Sequence, residues 1–289
     1  MLAAWATLRR RPVLVGFFLA LACLIKPQPL FLVPLFLVWL ARQQSVVALR
    51  KALMVFVGVS FLGWLPYLLP LSRQPEVFVF LQNMQSFSAW QGAHNATSNA
   101  YNFWWLFGPH ITAIHPLVGP FSASVIGWML YALAMLLALR GIWQDESDRQ
   151  FWLSLTLLAV AFFVVTVGQH ERYLYPALAF AFLAVSTQRR LFWIAAGLAV
   201  SFTMNILLGI LTGSPGSSAL LVPALVAWIK SHPAFHDVLA GATACLNLVL
   251  LLSLAAIQIQ RIRLRRLETA MSAQSPGELL RAGRTSGLH

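Results

Sequence analysis

Long apolar stretches separated by short polar segments make up most of this chain. A helix needs about 20 apolar residues to cross the hydrocarbon core of a bilayer, and several of these stretches approach that length. The pattern therefore predicts an all-α fold, a polytopic transmembrane helix bundle with about eight spans. The predicted spans lie near residues 12–25, 28–41, 51–70, 119–139, 151–168, 173–187, 191–211 and 237–260.

The basic residues are distributed unevenly between the two sides that these spans create. If the Arg9–Arg11 tract is cytoplasmic, only Lys26, Arg73, Arg172 and Lys230 of the 20 basic residues fall on the outer side. Cytoplasmic segments of membrane proteins are enriched in lysine and arginine, so this count predicts that both termini are cytoplasmic. Two arrangements are possible for residues 12–41, a hairpin or one long tilted crossing. The count of basic residues on each side favours the hairpin.

One transmembrane domain is predicted over residues 1–260, with outer loops near residues 71–119 and 168–173. Residues 261–289 start with four arginines in six positions and continue with a Ser/Gly-rich stretch. Such a composition is typical of a basic cytoplasmic tail that meets anionic headgroups and is otherwise disordered.

The composition excludes an ordinary soluble domain. Hydrophobic residues make up 59% of the chain, charged residues 10%, and the mean hydropathy is +0.74, whereas soluble domains are about 25% charged. The net charge of +12 lies at the ends of apolar segments, as membrane topology requires. We therefore predict an integral membrane protein, with membrane lipids and no nucleic acid as partners.

The two cysteines, Cys23 and Cys245, lie inside apolar stretches and match no disulfide or metal motif. The predicted outer segments contain no Asp-x-Asp motif and no cluster of histidines and carboxylates. The sequence therefore predicts no metal site and no cofactor.

The segment His170-Glu171-Arg172 places three ionisable groups between two apolar stretches. Such groups are costly at a membrane and often mark a functional site. Arginine offers a bidentate fork to a phosphate, histidine offers a second donor, and Glu171 can orient either one or contact a sugar hydroxyl. A polar loop without chemistry, in which Tyr173 and Tyr175 anchor the interface, is the alternative.

The predicted outer loop at residues 71–119 interleaves amides with aromatic residues and has almost no charge. An interfacial aromatic belt explains the tryptophans but does not require Gln91, Asn99 or Asn102. Because amides pair with hydroxyls and aromatic rings cover the apolar faces of sugars, we expect this loop to bind a sugar or a headgroup.

Lys26-Pro27-Gln28-Pro29 puts a cation and an amide between two short apolar segments. Two interpretations stay open. Lys26 can extend to the membrane interface along its apolar stem, or Lys26 and Gln28 can face a cavity at a break between helices.

Three motifs together resemble bacterial polytopic glycosyltransferases of the GT-C fold. They are Lys26-Pro27-Gln28, Ser98-Asn99-Ala100-Tyr101-Asn102-Phe103-Trp104-Trp105, and His170-Glu171-Arg172-Tyr173-Leu174-Tyr175-Pro176. The last is also similar to the His-Glu-Lys loop of dolichyl-phosphate-glucose-dependent glucosyltransferases. The resemblance covers residues 26 to 176; beyond Pro176 it is only topological.

This resemblance implies transfer of a hexose from a polyprenyl-phosphate-linked donor on the extracytoplasmic face, as in related mannosyltransferases. It also implies roles for individual residues. His170 and Arg172 would contact the donor phosphate with Glu171 beside them, and the sugar and acceptor region would be shaped by Asn99, Tyr101, Asn102 and Trp104.

The sequence departs from the family in its acidic residues. GT-C enzymes carry a catalytic acid in a large outer loop after the first helix, where it acts as general base on the acceptor hydroxyl. Here only Glu76 and Glu171 fall clearly outside; Glu76 has no motif around it and Glu171 belongs to the donor loop. The chain therefore resembles the C-terminal portion of such an enzyme, with the base unknown and a separate chain as the expected source of the missing helices.

Two other functions compete with this interpretation. A transporter or flippase of lipid-linked substrates would use similar binding groups, but we find no internal repeat and no charges inside the spans for ion coupling. A non-catalytic membrane subunit, or a remnant of the enzyme, would explain the absent acidic loop. Whether the chain is active alone is left open by the sequence.

Overall fold

Helices form most of the computed structural model. It describes residues 1–68, 96–98, 100–108, 111–114, 116–212, 227–229 and 231–285, and of residues 66–68, 98, 212 and 272–285 it describes only the backbone. In chain order the helices are α1 (Leu2–Leu8), α2 (Pro12–Ile25), α3 (Val33–Gln43), α4 (Val46–Leu68), α5 (Ala123–Gln144), α6 (Asp148–Val165), α7 (Tyr175–Thr187), α8 (Phe192–Thr212) and α9 (Pro233–Thr285).

Short elements connect these helices. Turns of 3-10 helix cover Gln28–Leu32, Phe103–Phe107, Glu171–Leu174 and Arg189–Leu191, and the strands are β1 (Thr97–Ser98), β2 (Pro116–Val118), β3 (Phe121–Ser122) and β4 (Gln169–His170). Strand β1 pairs with β4 in parallel, and β2 pairs with β3 in antiparallel fashion.

The all-α bundle of apolar helices agrees with the prediction. Within the described residues, five helices are long and apolar enough to cross a membrane: Val46–Leu65, Ala123–Gln144, Asp148–Val165, Arg189–Leu211 and Pro233–Met271. The apolar helices Pro12–Ile25 and Gln28–Gln43 are shorter, and α7 has 13 residues. Each predicted span thus coincides with a helix, and the number that cross the bilayer stays a prediction.

Helix α6 is the centre of the bundle. Nearly all of its residues are buried, and it contacts α3, α5, α7 and α9. A helix that is apolar on every side is stable only when other helices surround it. Its polar residues are paired: the Gln150 amide donates to Ser154 at 3.0 Å and to Gln258 of α9 at 2.8 Å.

One end of the bundle, which we call the basic end, gathers charged residues from several helices. Arg42 forms an ion pair with Glu146 at 3.0 Å, and the buried Asp145 lies 3.6 Å from Arg261 and 3.3 Å from Arg265. Burial by itself would raise the pKa of Asp145, but hydrogen bonds from Ser147 and the charges of Arg265 and Arg261 hold that pKa below its ordinary value. All these arginines were predicted to be cytoplasmic.

The structure corrects the predicted boundary of the tail. We expected disorder from residue 261, but α9 continues without a break through Thr285, and Ile262 is buried. The reason is the pairing of Arg261 and Arg265 with Asp145, because a buried carboxylate needs a cationic partner. The start of the predicted tail is therefore part of the bundle.

Candidate functional site

The His170-Glu171-Arg172 loop lies at the opposite end of α6 from the basic end. Helix α6 ends at Val165, and Gly168 takes a φ of +70°, a conformation that side chains with a Cβ rarely adopt. Strand β4 then pairs with β1, so that Thr97 faces Gln169 and Ser98 faces His170. The segment before Asn99 and the His170 loop, which were predicted to belong to one site, are therefore adjacent.

Asn102 and Trp104 hold this loop in place. The Asn102 amide donates to the carbonyl oxygens of Phe163 and Thr166, both at 3.3 Å. The Trp104 indole donates to the Val165 carbonyl at 2.8 Å. The last carbonyls of a helix have no partner within the helix, and these two side chains supply one.

This arrangement changes the role expected for both residues. Asn102 and Trp104 were predicted to contact a sugar, but both are buried, and the Asn102 oxygen also accepts a hydrogen bond from the Trp104 backbone at 3.1 Å. Their polar atoms are occupied by the protein itself. In this structure they position the loop, and their role in sugar binding stays a prediction.

Tyr101 is likewise anchored inside the bundle. Its backbone N–H donates to Asn205 of α8 at 2.9 Å, and its carbonyl accepts from Asn247 of α9 at 2.8 Å. Its hydroxyl lies 3.2 Å from Nε2 of His236. Tyr101 is 1% exposed, so its predicted place in the sugar region is also taken by protein contacts. The predicted contacts Gln91 and Asn99 lie outside the described residues.

The polar residues inside α8 and α9 were missed in the sequence. Ser201 donates to Asn247 at 2.5 Å, and Asn205 donates to the Ser201 carbonyl at 2.9 Å. All three side chains are fully buried. Amide side chains within an apolar helix often contact a neighbouring helix. Asn205 and Asn247 could therefore have been predicted from the sequence as contacts between helices.

A cavity of about 550 Å³ opens beside the loop. Its polar lining includes Lys26, Gln28 and Arg172, and most of its wall is apolar: Leu19, Ala22, Phe31, Leu32, Phe36, Ala159, Phe162, Pro176, Ala179, Phe180 and Phe202. On α2 the lining runs from Lys26 back to Leu19, which is roughly 10 Å along a helix axis. We call the end of the cavity with Lys26 and Arg172 its mouth; the rest of the lining is mainly apolar, and Met1 also belongs to it.

Lys26 and the loop meet at this mouth. The Lys26 ammonium lies over the Tyr173 ring with Nζ 3.9 Å from the ring centre, and the His170 ring contacts Tyr173 edge-on at 5.2 Å between centres. Burial, and then the charge of Arg172, lower the pKa of Lys26. The mouth thus concentrates positive charge, and no carboxylate occurs among the described residues that line the cavity.

The three residues predicted to bind a phosphate do not act alike. Arg172 is exposed and lines the cavity. His170 is half-buried; burial and the charges of Arg172 and Lys26 lower its pKa, with Glu171 opposing them. Glu171 packs closely against Gly209 of α8: a Cβ added at Gly209 would lie 3.3 Å from the Cγ atom of Glu171. The cationic set at the cavity is therefore Lys26 and Arg172, with His170 beside them.

No group of three or more His, Cys, Asp or Glu side chains that could hold a metal ion occurs among the residues that the structure describes. The groups at the mouth are cations and an amide, which suit an anion. Comparison of the chain with models of known protein families, with curated proteins and with solved structures finds no match.

Proposed function

We propose that this chain is a membrane glycosyltransferase of the GT-C type that binds a polyprenyl-phosphate-linked hexose and stabilises its phosphate as the leaving group. One observation carries the proposal, the apolar cavity with Lys26 and Arg172 at its mouth. An apolar interior suits an isoprenoid chain, and a cationic mouth suits its phosphate. The transfer of the sugar itself rests on the resemblance of the three motifs.

In this proposal the binding groups divide the work according to their chemistry. The guanidinium of Arg172 and the ammonium of Lys26 face the negative charge that grows on the phosphate oxygens as the glycosidic bond breaks. Gln28 adds an amide donor at the same mouth. The apolar wall excludes water from one side of the phosphate, which strengthens both charge interactions.

The general base is not assigned. No described carboxylate lines the cavity, and Glu171 packs on Gly209. The proposal therefore places the base in the outer loop at residues 71–119 or in a separate chain that completes the enzyme. It places the protein in a bacterial inner membrane with the cavity mouth on the extracytoplasmic side and both termini in the cytoplasm.

Binding of polyprenyl phosphate to the purified full chain tests the donor site. We expect Arg172→Gln to weaken binding about 10-fold or more, since hydrogen bonds to charged groups contribute about 1.5–3 kcal/mol. The matched control is Arg263→Gln, which removes an exposed arginine on α9 that is not part of the cavity lining. Equal affinity of the Arg172 variant and the parent would contradict the phosphate assignment.

A second variant tests the apolar part of the cavity. Ala179→Trp would fill space beside Phe180, and we expect it to weaken binding of both polyprenyl phosphate and the uncharged polyprenol. Arg172→Gln should weaken binding of polyprenyl phosphate and leave binding of polyprenol unchanged. Substrate flux in proteoliposomes without any sugar transfer would instead identify the chain as a transporter of lipid-linked substrates.

A further inference from the structure

A second pocket lies at the basic end of the bundle, between α6, α7 and α9. Its volume is about 520 Å³, and it is lined by Ser147, Asp148, Arg149, Ser186, Thr187, Arg261 and Arg265. Asp148 and Val165 are the two ends of α6, so this pocket lies roughly 25 Å from the loop at residues 166–174 along the helix axis. It is therefore separate from the proposed donor cavity.

Three arginines line this pocket, and a fourth lies close enough to interact with one of them. Arg149, Arg261 and Arg265 line it, and Arg190, in the turn between α7 and α8, interacts electrostatically with Arg261. They face three carboxylates: Asp145 is shared by Arg261 and Arg265, Glu268 binds Arg265 at 3.0 Å, and Asp148 lines the pocket. An excess of positive charge remains.

The excess of one charge falls on Arg149 and Arg190, because Asp148 offsets only one of the two. Neither forms an ion pair within the part of the chain that the structure describes. Arg149 lies in the first turn of α6 and Arg190 just before α8, positions where the helix dipole favours carboxylates and disfavours arginine. The preference of cytoplasmic segments for basic residues would account for both arginines being on the predicted cytoplasmic side, but it does not account for a pocket that Arg149 lines together with Arg261 and Arg265.

An apolar cavity adjoins the arginine pocket and shares Asp148 with it. Its volume is about 610 Å³, and besides Asp148 its lining consists of one further charged residue, Arg9, and of Met1, Leu2, Trp5, Leu8, Trp152 and Leu183. A soluble phosphate would occupy only the arginine pocket. A molecule with a phosphate and a hydrocarbon chain would fill both spaces at once.

We propose that the arginine pocket binds the headgroup phosphate of an anionic phospholipid, with one acyl chain in the adjoining apolar cavity. The guanidiniums of Arg149 and Arg190 supply the unpaired positive charge, and the Ser147 and Thr187 hydroxyls border the phosphate. Basic pockets between transmembrane helices recognise lipid headgroups through this combination of charge and apolar contact. The arginine pocket shares no lining residue with the proposed donor cavity, and the apolar cavity shares only Met1 with it.

Native mass spectrometry of the detergent-purified full chain tests the proposal. The chain is titrated with phosphatidylglycerol and with phosphatidylcholine of the same acyl composition. We expect phosphatidylglycerol to bind more tightly, and the double variant Arg149→Gln/Arg190→Gln to lose about fivefold in affinity for each arginine removed. The matched control is Arg263→Gln/Arg266→Gln, which removes the same charge from exposed positions outside the pocket.

Three outcomes would overturn the proposal. The first is an equal loss of affinity in both double variants, which would mean that only the total charge matters. The second is equal binding of the two lipids. The third is displacement of phosphatidylglycerol by glycerol 3-phosphate at an equal concentration, which would identify a soluble phosphate as the occupant. Leu183→Trp, which fills the apolar cavity, should weaken lipid binding without changing net charge.

Discussion

The ammonium of Lys26 lies 3.9 Å from the centre of the Tyr173 ring. This contact joins the turn after α2 to the turn before α7, two segments that are far apart in the sequence. A cation over an aromatic face is attracted by the negative face of the ring, and the attraction is stronger where water is excluded. The contact therefore holds one cation at the cavity mouth, next to Arg172, before any ligand arrives.

Binding of an anionic ligand at this mouth should become stronger as the pH falls below 6.5, the ordinary pKa of histidine. Burial, together with the charges of Arg172 and Lys26, lowers the pKa of His170 in the empty cavity and keeps the imidazole neutral near pH 7. A bound phosphate favours the imidazolium, so proton uptake is coupled to binding. Isothermal titration with a polyprenyl-phosphate sugar, whose phosphodiester keeps one charge over this range, measures the effect.

His170→Gln provides the control for this pH dependence. The variant should bind the ligand with an affinity that is nearly constant between about pH 5 and pH 7, because it lacks the imidazole that takes up the proton in the parent. The same pH dependence in parent and variant would show that another group takes up the proton.

Much of the bundle could be predicted from the sequence because apolar length and charge asymmetry are local signals. Helix α2 coincides with the predicted segment 12–25, and Lys26 and Arg172 were both placed on one side of the membrane. Which helix faces meet is not a local property. The pairing of Asn205 with the backbone of Tyr101 depends on contacts between distant segments, so periodicity alone does not predict it.

The same limit explains the roles of Asn102 and Trp104. In the sequence they belong to an amide- and aromatic-rich segment, and that composition suits both ligand binding and support of a helix end. Only the position of the α6 carbonyls decides between the two, since Val165 accepts the indole N–H. Motif residues that were grouped in one site thus separate into those that line the cavity and those that hold its loop.

Replacement of Trp104 by phenylalanine should destabilise the protein more than the same replacement of the neighbouring Trp105. Trp104→Phe keeps a ring but deletes the donor to the Val165 carbonyl, leaving a buried acceptor unpaired at a cost of about 1–3 kcal/mol. Trp105→Phe is the matched control, because Trp105 is only partly buried. Thermal unfolding of both variants in detergent checks the difference, and equal unfolding temperatures would contradict the anchoring role.

Close packing of α5 against the end of α6 gives a prediction for Gly127. A Cβ at this position would overlap the Val165 carbonyl oxygen and lie 3.3 Å from the Trp104 ring. Backbone atoms cannot move aside as a flexible side chain can, so Gly127→Ala should destabilise the protein by about 1–3 kcal/mol. The matched control is Gly58→Ala in α4, where nothing lies within 4 Å of the added Cβ and alanine favours the helix by up to about 1 kcal/mol. The unfolding temperature should therefore fall below that of the parent for Gly127→Ala and rise above it for Gly58→Ala.

Because Val165 and Trp104 support the His170 loop, Gly127→Ala should also weaken polyprenyl-phosphate binding, whereas Gly58→Ala should leave it unchanged.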